Sequence, residues 1–103
     1  MYKDKIVYVA GPYSKGDVAV NVKRAIDYGM HINDCGGYAI VPHLTHFMHI
    51  IHNRKYEYWL EVDNRIIPKC DMLVRLSGES SGADKEVELA KSLNIPVIYL
   101  KGI

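Results

Sequence analysis

Little in this chain of 103 residues can serve as a cross-link, a membrane anchor or a polyelectrolyte. Its two cysteines, Cys35 and Cys70, lie far apart, one before the Gly36 and Gly37 pair and the other before a strand. They read as buried or incidental thiols, and a redox pair or zinc site is not expected. No apolar run approaches membrane-spanning length, and Met1 to Lys5 leads into a strand without an apolar signal region. A cytoplasmic location and no membrane partner are therefore expected. Charge of one sign is missing too: 13 Lys and Arg and 12 Asp and Glu are mixed along the chain, for a formal net charge of +1. That balance argues against a nucleic-acid groove, yet it leaves free nucleotides open, since they need only one or two local donors. There is also no internal repeat, linker or low-complexity run, so residues 1–103 read as one domain. Such a length is near the small end of what buries an adequate core alone, and a homodimer or higher homo-oligomer is expected.

What is present is an alternation of two periods. Lys5 to Ala10 is apolar and β-branched, and the loop from Gly11 to Ser14 stops it. From Val18 to Asn33, apolar residues at Val18, Val22, Ala25, Gly29 and Ile32 mark one face of a helix, ended by Gly36 and Gly37. Tyr38 to Val41 predicts a second strand closed by Pro42. His43 to Lys55 resists classification and reads as a loop with a helical turn. Glu57 to Ile67 predicts a helix with Trp59, Val62 and Ile66 inward, terminated by Pro68. Met72 to Leu76 and Ile95 to Leu100 predict the last two strands, with a helix from Ala83 to Leu93 between them.

Strands alternating with helices and carrying continuous apolar runs imply a parallel sheet covered on both faces. Right-handed crossovers then favour a three-layer α/β domain of flavodoxin-like (Rossmann-like) type, with four strands in the order 2-1-3-4. In that order the chain reverses direction between strands one and three. A crevice is expected there, lined by the loop after Ala10 and the loop after Leu76.

The segment Ser80 to Ala90 leads out of that crevice. Ser80, Ser81 and Gly82 supply turn chemistry, and Ser81 with Asp84 fits a helix N-terminal box. Ala83, Val87, Ala90 and Leu93 follow at helical spacing and are expected to face the sheet, which leaves Glu86 near the strand ends. An acidic first turn favoured by the helix dipole accounts for Glu86 and Glu88 equally well.

Taken in order, Tyr8 to Pro12, Asp63 in a helix with Trp59, Cys70 and Asp71 opening strand three, and Ser80 to Glu86 resemble the nucleoside 2-deoxyribosyltransferase superfamily. Within it the chain resembles the 2′-deoxynucleoside 5′-monophosphate N-glycosidases in function-bearing residues, and its compact size also resembles a small uncharacterised branch of that superfamily. The resemblance implies cleavage or transfer at the N-glycosidic bond of a 2′-deoxynucleoside or its 5′-monophosphate, with no cofactor or metal. It implies Glu86 as nucleophile on the anomeric carbon and Asp63 as the group that handles the proton of the departing base or positions a sugar hydroxyl. Tyr8 would line the floor and steer Glu86, and Ser80 would bind the 5′ side of the sugar or its phosphate. Gly11, Ser14, His43 and Gly82 complete the expected substrate contacts.

The match has departures. Where those glycosidases offer a Ser and an Arg to phosphate, this chain has Pro12, Tyr13, Ser14 and Lys15. Proline has no N–H to donate, so Ser14, Lys15 and backbone near Gly16 would have to substitute. Little chain follows the last strand, so a neighbouring subunit is the expected lid. Each residue also has a plainer role open to it: Tyr8 in the core, Asp63 in a surface ion pair, Ser80 in a turn, and Asp71 as a polar residue at strand entry. His43, His46, His49 and His52, spaced by threes, are either metal-ligand candidates or, with Phe47 and Tyr56, part of a subunit interface. A non-catalytic nucleotide-binding or regulatory module on the same scaffold is the alternative to an enzyme.

Overall fold

A computed structural model describes residues 1–102. Four strands, β1 (Ile6–Ala10), β2 (Tyr38–Ile40), β3 (Met72–Arg75) and β4 (Val97–Tyr99), form one parallel sheet in the order β2-β1-β3-β4. The helices are α1 (Val18–Asp34), α2 (Thr45–Ile51), α3 (Tyr56–Ile66) and α4 (Ser81–Ser92). This is the three-layer α/β architecture expected from the alternating periods.

Alternation along the central strands divides the core in two. Val7, Val9, Met72 and Val74 point to the face covered by α1, where they meet Ala25 and Ile32. Tyr8, Ala10 and Leu73 point to the opposite face, where they meet Ala83, Val87 and Ala90 of α4 and Ile67. Both faces of β1 and β3 are thus sealed, and each fully buried Val or Leu contributes roughly 1.5–3 kcal/mol. Strand direction is fixed by register: Tyr8 sits opposite Leu73, and Ala10 opposite Arg75. The carboxyl ends of β1 and β3 therefore open side by side at the point where the strand order reverses.

Several local expectations are corrected. His43 to Lys55 is not mainly loop: a 3-10 turn, Pro42–Leu44, runs into α2, and α3 follows. Ser80, not Ser81, caps α4, its hydroxyl accepting from Ala83 N–H at 3.1 Å. Leu93 is the C-cap of α4 and 44 % exposed, because the helix ends at Ser92 before that position turns to the sheet. On α1 the buried first-turn residue is Asn21, with Val18 only half-buried. Asn21 donates to Tyr13 O and Lys15 O, both at 2.8 Å, and so ties the loop after β1 to the helix. Pro68 ends α3 by redirecting the chain into a second 3-10 turn, Ile67–Lys69. Asp71 accepts from the Ile6 N–H at 2.8 Å, a structural link at strand entry.

Candidate functional site

The cleft begins with close backbone approach. A Cβ on Gly11 would lie 3.0 Å from Leu76 Cβ, so a side chain there would push the β1 loop away from the end of β3. Gly78, at φ +117°, carries the β3 loop across Pro12 in a conformation that side chains disfavour. Between these loops, α4 and the α2–α3 segment opens a cavity of about 620 Å³.

Gly11, Ser14, His43, Asp63, Ser80, Gly82 and Glu86 all line this cavity, with Tyr8 behind Glu86. Residues spread from position 8 to position 86 are thereby brought to one place.

Glu86 lies in the second turn of α4 and is 8 % exposed. Tyr8, fully buried on β1, donates its hydroxyl proton to Glu86 Oε2. Burial pushes the Glu86 carboxyl up to about 7; the Tyr8 hydrogen bond and the Arg75 charge pull it down, while Asp63 pushes it further up. Burial, followed by the charges of Glu86 and Asp63, raises the Tyr8 hydroxyl far above its ordinary value, so it remains a donor. Asp63, half-buried on α3, is likewise pushed up to about 7 by burial. Its Oδ1 is buried without a hydrogen-bond partner among the described residues. An acceptor or proton left unpaired in a cleft is open to a ligand or an ordered water.

His43 is 5 % exposed, and its Nε2 lies 3.0 Å from Pro12 O. A carbonyl can only accept, so Nε2 carries the proton of the neutral ring. Burial, with a lesser push from the Arg24 charge, lowers its pKa against the pull of the Pro12 and Gly11 carbonyls. His43 thus braces the β1 loop from the cleft wall. Ser80 divides its role: its oxygen caps α4, and a hydroxyl that accepts still has a proton to donate. Gly82 keeps that wall thin, since a Cβ there would reach the Tyr56 hydroxyl at 3.4 Å.

The four spaced histidines do not converge. His43 holds Pro12 O; His46 Nδ1 pairs with the Tyr13 hydroxyl at 2.7 Å; His49 Nδ1 accepts from Trp59 Nε1–H at 2.8 Å; and the His52 backbone closes α2 onto Met48 O at 2.8 Å. Among the described residues, no group of three His, Cys, Asp or Glu side chains is placed to hold a metal ion.

Arg75 is the residue that sequence reasoning passed over. It interrupts an apolar strand, is 7 % exposed, and points to the same face as Leu73, Tyr8 and α4. A cation inside a strand buried on both faces was the available signal. The cleft's aromatic wall was also under-read: Tyr13, His46, Tyr56 and Trp59 line it, although only some of them stood out as interface candidates.

Fold and cleft together define a small open-sheet α/β protein with a buried, tyrosine-bonded carboxylate at its topological switch point. Over residues 5–100 the chain matches DUF7768, a domain of unknown function, and it belongs to that family. No curated protein matches it. Among the described residues no helix is long and apolar enough to cross a membrane.

Proposed function

We propose that this protein cleaves or transfers the N-glycosidic bond of a 2′-deoxynucleoside or its 5′-monophosphate, as the resemblance to the nucleoside 2-deoxyribosyltransferase superfamily implies. The observation that carries the reading is one carboxylate, Glu86, buried and hydrogen-bonded by Tyr8, sharing a cleft with a second, Asp63, whose Oδ1 has no partner among the described residues. Rupture of a C1′–N bond passes through an oxocarbenium-like state that a carboxylate can stabilise or trap. Glu86 attacks C1′ and forms a glycosyl ester as the C–N electron pair leaves with the base; Asp63, whose carboxyl burial raises to about 7, delivers the proton to that base in its protonated form. Water then attacks C1′, Asp63 takes its proton, and Glu86 is released as carboxylate. A second base in place of water gives the transferase.

Tyr8 stays protonated through both steps and holds Glu86 against rotation. Ser80, Ser81 and Gly82, at the start of the α4 helix, offer a hydroxyl and backbone N–H groups to the 5′ side. On the β1 loop, Ser14 and Lys15 stand where an anion would be met, although Lys15 is paired with Glu79 at 2.8 Å. The test is incubation with deoxynucleosides and their monophosphates, with chromatography for free base and Glu86→Gln as control. Base release lost in that variant supports the reading. Nucleotide binding without turnover by the wild type favours the regulatory module instead.

A further inference from the structure

The guanidinium of Arg75 is spent inside the protein. It donates to the Leu76 carbonyl, to Gly78 O at 3.0 Å and to Asp84 Oδ1 at 2.9 Å. Burying a guanidinium is costly unless it is paired and its donors are satisfied, and a surface ion pair gives little in return. An apolar residue in this strand would avoid that cost. The partners explain the choice: two belong to the loop leaving β3, and the third to the first turn of α4, the helix that carries Glu86.

We propose that Arg75 is a positioning residue for Glu86: it pins the loop after β3 to the first turn of α4 and sets a fixed positive charge on the face of the sheet where that carboxylate lies. A planar fork suits the task, because it can hold two carbonyls and one carboxylate at once in a defined geometry. Asp84 is 71 % exposed at its side chain, so solvent screens it from the cleft more than it screens the buried cation. The groups that act on the Glu86 carboxyl are the Tyr8 hydroxyl from β1, Asp63 from α3 and Arg75 from β3. Lys85, beside it on α4, also lines the cleft. From the other elements packed on α4, Lys69 and Tyr99 are exposed. Of these, Tyr8 and Arg75 favour the charged carboxylate and Asp63 opposes it.

This inference rests on the glycosidase reading only for why a charged Glu86 matters, so the experiment reads the carboxylate without turnover. Carboxyl carbon NMR follows Glu86 through a pH titration in wild type, Arg75→Met, Arg75→Lys and Asp84→Asn, and amide exchange reports on residues 76–80. In Arg75→Met the titration midpoint rises by about one pH unit, the scale of losing a nearby opposite charge. In Arg75→Lys the charge stays and the midpoint holds near the wild-type value, while the loop amides exchange about tenfold faster for want of the fork. Asp84→Asn frees Arg75 from its counter-ion, and the midpoint falls. If Arg75→Met does not fold, the Asp84→Asn shift decides. An unmoved midpoint in a folded Arg75→Met, or in Asp84→Asn, overturns the proposal, as does a midpoint in Arg75→Lys that follows the Met variant. A shifted midpoint in a protein that cleaves no nucleotide sinks the glycosidase reading and leaves this one standing.

Discussion

Glu86 is under two opposed demands. Burial and the nearby Asp63 favour its neutral form, whereas the Tyr8 hydrogen bond and Arg75 favour the anion, and the balance leaves it at about 7 beside an Asp63 also at about 7. Two carboxyl groups lining one cleft and both raised to about 7 can divide the roles, one ionised to attack and the other protonated to donate. The kcat/KM profile for base release is accordingly expected to be bell-shaped with its maximum close to pH 7. Asp63→Asn flattens its alkaline limb and slows turnover most for bases that leave poorly. Glu86→Gln keeps the shape and an acceptor for Tyr8, so binding survives while turnover falls about a hundredfold or more. The same substitution tests the electrostatics without any substrate. A carboxyl raised in the folded state binds more protons there than in the unfolded chain, between its ordinary value of 4.5 and about 7. Across that window stability falls as pH rises, by roughly 3 kcal/mol for Glu86 in full. Asp63, raised by burial to the same value, adds a loss of the same sign, so urea unfolding at pH 5 and pH 8 is expected to show a smaller loss in Glu86→Gln than in wild type, with the part due to Asp63 remaining.

At the level of elements, the α2–α3 segment is held by its histidines one at a time. His49 accepts from both Trp59 Nε1–H at 2.8 Å and the Arg54 N–H at 3.2 Å, clamping the connection between the helices to the cleft wall. His49→Ala leaves a part-buried indole N–H unpaired and is expected to cost about 1 kcal/mol, read as a lower melting temperature and altered Trp59 fluorescence. Since the rings of His43, His46 and His49 each have their own partner and no group of three ligands converges among the described residues, exhaustive chelation is expected to leave the melting temperature unchanged. This segment was also where the sequence was least legible. Strands β1 and β3 announce themselves because burial on both faces demands largely apolar runs, broken in β3 only by Arg75, and α1 because its stripe repeats at helical spacing. By contrast, α2 buries none of its residues fully, so no amphipathic stripe marks it. Ser80 and Ser81 are both good caps, and the extended backbone of Ser80, at φ −163°, with its hydroxyl accepting from Ala83 N–H, distinguishes them. Glu86 was legible as a carboxylate near the strand ends; its contact with Tyr8 was not derivable from spacing, because 78 positions separate the pair.

For the molecule as a whole, α2 is the face without cover. Phe47, Met48, Ile50 and Ile51 are 51–77 % exposed, and Tyr56 and Tyr58 at the start of α3 are exposed at 59 % and 49 %. Several large apolar side chains exposed on one short helix are uncommon on monomers and point to an interaction site. A small chain gains most from such burial, and a twofold contact that places the same patch of each copy against the other is the commonest solution. A homodimer through α2 is therefore expected, detectable by light scattering at micromolar concentration and broken by Met48→Glu with Ile51→Lys. Neither residue lines the cavity, but Thr45, His46 and His49 of the same helix do. Such a dimer would stiffen one wall of the site, and dilution below its dissociation constant is expected to raise KM before it lowers kcat. A monomer at assay concentration with unchanged KM in the double variant would contradict both the interface and its link to the cleft.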